Sequence, residues 1–292
     1  MIQLVSRNQL DENKYNECIE NSKQSRVFAF SWYLDIVASN WVVLVLNDYE
    51  AVMPIPIRKK YGIKYVYPPF WVLELGVFFK SKVNIDQFIS TLNNSFWFIE
   101  TRLNTLNSVQ NTSKNLLVKE LQYLEVSSGY ELLLKGYQKD KRKELRKAEI
   151  ASLEGRWHQN PKELIDLFRD NVGQRTPNIV SGDYDVLKAL IIKCLSLNIG
   201  KLLSVFDDEN RLVASGFFLI YNGRVTLLVS STDFSNRNNG ANTYLIDCAL
   251  RKFCKDNEIF HFGGSSIVSI ANYFKGFGAK TETYSLFRKR LL

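Results

Sequence analysis

The sequence predicts an α/β (α+β) fold of two tandem units, 1–134 and 135–292, each a mixed, mostly antiparallel sheet flanked by helices. Three observations predict it. The chain has 292 residues, about twice the size of one typical domain. A helix–strand–turn–strand pattern occurs near 31–57 and returns in longer form from 185 onward. Between the two copies lies a strongly basic stretch, 135–147.

In the first unit Ser31 is positioned to cap a short helix that buries Tyr33, Leu34, Ile36 and Val37. The run 41–46 (WVVLVL) is a strand, Asn47-Asp48 a turn, and 49–57 a second strand in which Met53, Ile55 and Ile57 alternate with other residues. In the second unit a helix runs from about Asp185, with Val186, Leu187, Leu190, Ile191 and Cys194 on one face, and Gly200 is expected to stop it. Strands follow at 202–206 and 211–221. Asn222-Gly223 is the signature of a two-residue hairpin and leads to a strand at 224–230. After a polar loop come a helix at 242–256, a strand at 259–262, a helix at 267–275 and a last strand at 283–288.

Apolar residues make up 46 % and charged residues 23 %, and 19 Phe, 14 Tyr and 5 Trp supply core material, so the chain is globular rather than disordered. Its 38 Lys+Arg against 30 Asp+Glu give a net charge of +8. That excess favours an anionic partner: a nucleotide phosphate, coenzyme A, tRNA or a membrane surface. The four cysteines form no C-x-x-C pair, and Cys194 and Cys248 fall in apolar helical patterns, as buried reduced thiols do. The first residues do not read as a secretory leader and no apolar stretch approaches the ~20 residues of a membrane span, so a cytoplasmic location is expected. With two histidines, His158 and His261, and no clustered thiols, zinc sites and Cys/His catalysis are not expected. Neither a Walker sequence nor a G-x-G-x-x-G loop occurs.

Three segments are candidates for chemistry. The loop 235–242 (SNRNNGAN) lies between a strand and a helix. Arg237, Asn239, Gly240, Ala241 and Asn242 offer backbone donors and a helix N-terminus for a pyrophosphate, or else simply turn the chain and cap the helix. The stretch 135–147 carries Lys135, Lys139, Lys141, Arg142, Lys143, Arg146 and Lys147 against Asp140 and Glu144, so five of the eight net charges sit within it. On a helix Lys139, Arg142 and Arg146 share a face, and Asp140 with Lys143 or Glu144 with Lys147 would relieve the charge. The imbalance favours contact with an anion through Arg142, Arg146 and Lys147. Finally, the small-residue turn 263–266 follows a strand and opens a helix. Gly264 and Ser265 there either shape the turn or hold an acyl carbonyl or phosphate.

Taken together, several motifs resemble those of the FemABX-like aminoacyltransferases, a branch of the GNAT acyltransferase superfamily. They are Ser31-Trp32-Tyr33-Leu34-Asp35, Ala51-Val52-Met53-Pro54-Ile55-Pro56, Tyr67-Pro68-Pro69-Phe70 and Leu75-Gly76-Val77-Phe78. They continue with Tyr137-x4-Arg142-x3-Arg146-Lys147-Ala148, Gly264-Ser265 and Tyr273-Phe274-Lys275-Gly276-Phe277-Gly278-Ala279. The resemblance runs through most of the chain. It implies two tandem GNAT-like domains and transfer of an aminoacyl or acyl group to an amine, the family's acceptors being mostly peptidoglycan precursors. It also implies that Lys275 matches a lysine near the donor ester and that Arg142 and Arg146 match a basic helix. The chain departs from the pattern at His261-Phe262-Gly263, where relatives carry two acids, and at Leu73-Glu74, where they carry glutamines.

Acyl transfer to an amine needs a neutral amine, an activated carbonyl and a stabilised oxyanion, and no covalent enzyme intermediate. On this reading Lys275 stabilises the oxyanion or donor, Arg237 with Gly240 holds the donor phosphates, and Asp233 and Tyr273 are the candidate bases. No cofactor is expected to be tightly bound; acyl-coenzyme A, slightly favoured, or aminoacyl-tRNA enters as co-substrate. The expected acceptor is an anionic small molecule or a nucleotide-linked, cell-wall-precursor-like amine. A peptidoglycan-precursor aminoacyltransferase using aminoacyl-tRNA, and a non-catalytic binding protein of the same fold, are the alternatives.

Overall fold

The structure is a computed structural model and describes residues 1–109, 114–263 and 267–290, with residues 236 and 237 described by backbone alone. The chain forms two compact units, Met1–Glu120 joined by the stretch from Glu282 onward, and Leu121–Thr281. The first division falls at 120/121, inside a strand, and the last strand returns to the first unit.

The first unit contains β1 (Ile2–Ser6), α1 (Glu12–Glu20), α2 (Ser31–Val37), β2 (Trp41–Leu46), β3 (Ala51–Lys60), β4 (Ile63–Val66), β5 (Phe78–Phe79), α3 (Ile85–Ser95) and β6 (Ile99–Arg102). The strands run in the order β1-β2-β3-β4-β6, with β5 on β3, and all pair antiparallel except β4 with β6. β2, save its last residue, and the first seven residues of β3 are buried, and apolar but for two prolines, because both faces are covered there; β3 then ends in the exposed Arg58, Lys59 and Lys60. Phe88, Ile89 and Leu92 of α3 join Leu44, Met53 and Ile55 in one core, while α1 packs on β3 and β5. Ser31 begins α2 but does not cap it: Phe30 takes that position, and the Ser31 hydroxyl donates to Glu12 (2.8 Å). Ile36 is only half-buried.

The second unit contains β7 (Leu116–Glu125), α4 (Tyr130–Gly136), α5 (Lys139–Ile150), β8 (Glu154–His158), α6 (Lys162–Asp170), α7 (Ser181–Ser196), β9 (Gly200–Phe206), β10 (Leu212–Tyr221), β11 (Arg224–Thr232), α8 (Ala241–Phe253), β12 (Ile259–His261) and α9 (Val268–Lys275). β13 (Lys280–Lys289) follows and pairs antiparallel with β6, Leu286 opposite Arg102. The strand order in the second unit is β7-β12-β11-β10-β9-β8, antiparallel throughout except for β11 with β12. Its core gathers Phe218, Phe260, Phe262, Phe274 and Phe277 with Leu245 and Ile246 of α8. The Asn222-Gly223 hairpin forms as its residues demand, both in the left-handed region (φ 50° and 68°) with Tyr221 paired to Arg224. Gly200, expected to end α7, is instead the first residue of β9. The helix stops at Leu197, and Asn198 adopts the left-handed turn (φ 60°), which an asparagine tolerates. All four cysteines are free; burial pushes Cys194 up to about 12 and Cys248 up to about 11, so both thiols are inert at neutral pH.

One ionic cluster ties the start of the first unit together. Arg7 donates to Asp35 (2.8 Å) and to Glu12 (2.7 Å), and Trp41 Nε1 donates to Asp35 (2.8 Å). Burial alone would raise the Asp35 carboxyl, but the bonds from Arg7 and Trp41 outweigh it and hold it below its ordinary value. A carboxyl lowered on folding stabilises the native state above its unfolded pKa and loses that contribution as pH falls through the folded one. Asp35→Asn is therefore expected to flatten the acid limb of stability below about pH 4. Denaturant midpoints measured from pH 7 to pH 2 check this; an unchanged acid limb refutes it.

Candidate functional site

β11 and β12 run parallel only as far as Thr226 opposite His261. β12 ends there while β11 continues to Thr232, and the chain then passes through a 3-10 turn, Phe234–Asn239, into α8. Gly240 links turn and helix with φ 79° and ψ 9°, a left-handed conformation. A Cβ on Gly240 would collide with the backbone carbonyl oxygen of Glu144, so the loop lies directly against α5.

Several bonds hold α5 in that place. The hydroxyls of Tyr130 (2.8 Å) and Tyr137 (2.9 Å) both donate to the buried Asp247 carboxylate of α8, which also accepts from Arg251 (3.2 Å). The Gln138 N–H donates to the Gly276 carbonyl (2.8 Å), and the Tyr137 ring meets Phe277 edge-on at 5.1 Å. The motifs beginning at Tyr137 and at Tyr273 are thus in contact.

One of the basic residues is turned inward. Lys141 is 2 % exposed. Its ammonium sits 3.7 Å from the centre of the Tyr273 ring, donates to Glu144 (2.9 Å) and lies 3.5 Å from Asp140. Burial of a lysine is tolerated here because a carboxylate and an aromatic face replace its water. Lys141 takes both nearby acids, in place of the pairs expected from Lys143 and Lys147. Sequence reasoning missed it among its neighbours. The available signal was the inward stripe of Leu145 and Ala148, four and seven residues on.

Glu144 receives two bonds on one oxygen: Oε2 accepts from Lys141 Nζ and from Thr243 Oγ1. Oε1 has no protein partner among the described residues. Since Thr243 gives its only hydroxyl proton to the carboxylate, the 2.9 Å contact between Thr243 Oγ1 and Tyr273 Oη has Tyr273 as donor. Burial raises Tyr273 well above the ordinary phenol value, so it holds its proton at any physiological pH. The result is a chain of hydroxyls, Tyr273 to Thr243 to Glu144, aimed at a carboxylate.

This chain opens on a cleft of about 390 Å³. Glu144 and Lys147 of α5, Thr232 at the end of β11, the 238–243 segment and Tyr273 line it. Of the residues expected from sequence, Lys147, Asn239, Gly240, Ala241, Asn242 and Tyr273 therefore meet in one place. Asn239 also accepts, through its Oδ1, from the N–H of Ala241, the first residue of α8 (3.0 Å), while Gly240 takes the cap position. Others are elsewhere. Asp233 accepts from the Ser235 N–H (2.9 Å) and hydroxyl (2.6 Å), closing the 3-10 turn, and is not part of the lining. Arg142 turns its guanidinium back onto the carbonyls of Tyr137 (3.1 Å) and Lys135 (2.9 Å), finishing α4, so it does not present a free fork beside Arg146. Arg146 is exposed. Lys275, the last residue of α9, is half-buried and outside the cleft lining. Arg237 lies in the 3-10 turn, but its side chain is outside the described part, as are Gly264 and Ser265. His261 is buried, and its Nδ1 accepts from the Gly263 N–H (3.1 Å).

No protein-family model and no curated protein matches the sequence. The fold has clear likenesses. FemX superposes with a TM-score of 0.61 at 8 % identity, covering 97 % of this chain and 96 % of that one. L-PGS from Bacillus licheniformis gives 0.57 at 11 % identity over 97 % and 93 % of the two chains. A tandem GNAT protein from the clavulanic acid biosynthesis pathway gives 0.51 at 8 % identity over the full length of both. The chain has a FemABX-like tandem GNAT fold. In this GNAT fold the cleft belongs wholly to the second unit, at the strand–loop–helix junction where α8 begins. Among the described residues no helix is long and apolar enough to cross a membrane.

Proposed function

We propose that the chain is an N-acyltransferase that moves an acyl group from acyl-coenzyme A to the amine of a small or cell-wall-precursor-like acceptor. The observation that carries this reading is the Tyr273–Thr243–Glu144 chain lying beside the left-handed Gly240 at the N-terminus of α8. A helix N-terminus favours the donor's phosphates, and Lys147 adds a cation to the same cleft. The free Oε1 of Glu144 takes the proton from the attacking amine. The amine nitrogen bonds to the acyl carbon, the carbon–sulfur bond breaks, and the Tyr273 hydroxyl gives its proton to the departing thiolate. Once the Glu144 carboxyl turns this proton onto the oxygen facing Thr243, Thr243 passes its own proton to Tyr273 and takes that one, which resets the groups. Lys141, touching both Glu144 and the Tyr273 ring, acts as a positioning residue.

A second reading follows from the exposed cations of α5. Lys139, Lys143 and Arg146 face solvent and favour a polyanionic donor such as aminoacyl-tRNA. The two donors are distinguished by offering acetyl-coenzyme A and an aminoacyl-tRNA with a panel of amines that includes UDP-linked cell-wall precursors. Amine-dependent thiol release is expected with acetyl-coenzyme A, together with a rise in melting temperature on binding it. Transfer only from aminoacyl-tRNA, with steeply salt-dependent binding, establishes the second reading instead. If neither donor stabilises the protein or is consumed, both readings fail.

A further inference from the structure

The first unit carries a surface the acyl-transfer reading does not use. β3 and β4 form a hairpin whose two-residue turn, Tyr61-Gly62, lies in the left-handed region at both positions (φ 50° and 83°). Around this turn stand Arg58, Lys59, Lys60 and Lys64, all exposed. None of the four has an acidic partner among the described residues. Lys59 and Lys64 are directly opposite each other across the strands, an arrangement that repels. Arg58 rests over the Tyr67 ring at 4.0 Å.

Beside these cations the surface turns apolar. Tyr61 is 92 % and Trp97 61 % exposed, with Leu4 at 48 % and Ile63 at 39 %. Leu4, Ile63, Lys64 and Trp97 border a groove of about 460 Å³ floored by Val42, Ile57 and Phe96. Lys64 and Ile57 also border the neighbouring depression that holds Arg58 and Lys59, so the basic and apolar parts form one surface.

We propose that this hairpin tip and groove dock the protein peripherally on an anionic lipid bilayer. Two features select that partner. Unpaired lysines beside exposed Trp and Tyr match the headgroup level of a membrane, where phosphates meet the rings and the cations together. The aliphatic Leu4 and Ile63, with the groove between them, match acyl chains and glycerol. RNA would satisfy the cations and stack on Trp97, but it offers nothing to the aliphatic side chains. The apolar area is small, so attachment depends on the charges and is reversible.

The test is co-sedimentation of the full chain with vesicles of phosphatidylcholine containing about 30 mol % phosphatidylglycerol, and with vesicles of phosphatidylcholine alone. Binding is expected only to the anionic vesicles, with Trp97 fluorescence shifting to shorter wavelength. K59Q/K64Q and I63S/W97S are each expected to weaken it about tenfold, and salt is expected to weaken what the lysines contribute. All four substitutions are at exposed positions, so melting temperatures are expected to hold. Three results overturn the proposal: no binding to anionic vesicles, binding that both double variants retain, and lysine-dependent binding of single-stranded RNA without vesicle binding.

Discussion

Replacing Glu144 with glutamine is expected to lower kcat for amine acylation about a hundredfold or more, the usual worth of one positioned base. The melting temperature should barely move. A glutamine amide oxygen can still accept from Lys141 and Thr243, so the two bonds to Oε2 have a replacement. What disappears is the basic Oε1. The signature is a loss in kcat that rising pH partly restores, because hydroxide from solvent can then take the proton that the amine nitrogen releases on attack, in place of Oε1. Tyr273→Phe should give a different profile: its loss persists at high pH, since a proton donor to the leaving group is missing there too. Because Tyr273 is held well above the ordinary phenol value, the wild-type rate should show no decline from its ionisation below about pH 10. Equal losses at every pH for Glu144→Gln would remove Glu144 from proton transfer. Wild-type turnover would remove the whole hydroxyl chain.

Gly240→Ala is expected to destabilise the second unit by about 3 kcal/mol, a fall of roughly 10 °C in Tm, and to abolish turnover with it. Two costs combine. A side chain in the left-handed region is strained, and the new methyl would strike the Glu144 carbonyl oxygen. Gly240→Asn separates them. Asparagine tolerates the left-handed conformation but brings the same Cβ, so it should be nearly as damaging as alanine. If asparagine restores stability, dihedral strain is the whole effect and the close approach of loop to α5 is dispensable. Either way a Gly240 variant reports packing first, so donor binding is better probed at Lys147, whose exposed side chain lines the cleft.

Much of the fold was legible because local rules sufficed. Asn222-Gly223 fixed its hairpin, and the apolar runs at 41–46 and 212–221 became strands. The stop of α7 was misplaced by two residues of reasoning: glycine is the common left-handed residue, yet Asn198 does that work and Gly200 starts a strand. The cleft was half legible. The loop at 239–242 stands where a strand hands over to a helix, which alternation and periodicity can find. Lys141 and Thr243 were not, because their importance comes from Glu144 and Tyr273 meeting across a gap of well over a hundred residues. Nor can charge counting tell that Arg142 spends its guanidinium on the carbonyls of α4. A run of like residues conceals which of them faces inward.

The return of β13 to the first unit bears on the order in which the protein is made. β6 acquires Leu286, Phe287 and Arg288 as partners only after all of 121–281 has been synthesised. Until then the nascent first unit presents an open strand edge at Ile99–Arg102, with Phe287 missing from its core. Such a contact is slow to form, since a long intervening chain must first be gathered. At ribosomal rates of roughly 5–20 residues per second, the incomplete edge stands exposed for about ten seconds or more. In the second unit the strands from β12 to β8 find their partners within 121–281, and only the outer edge of β7 waits for β13. The core of the half that is made second is therefore expected to consolidate before the open edge of the first half is closed.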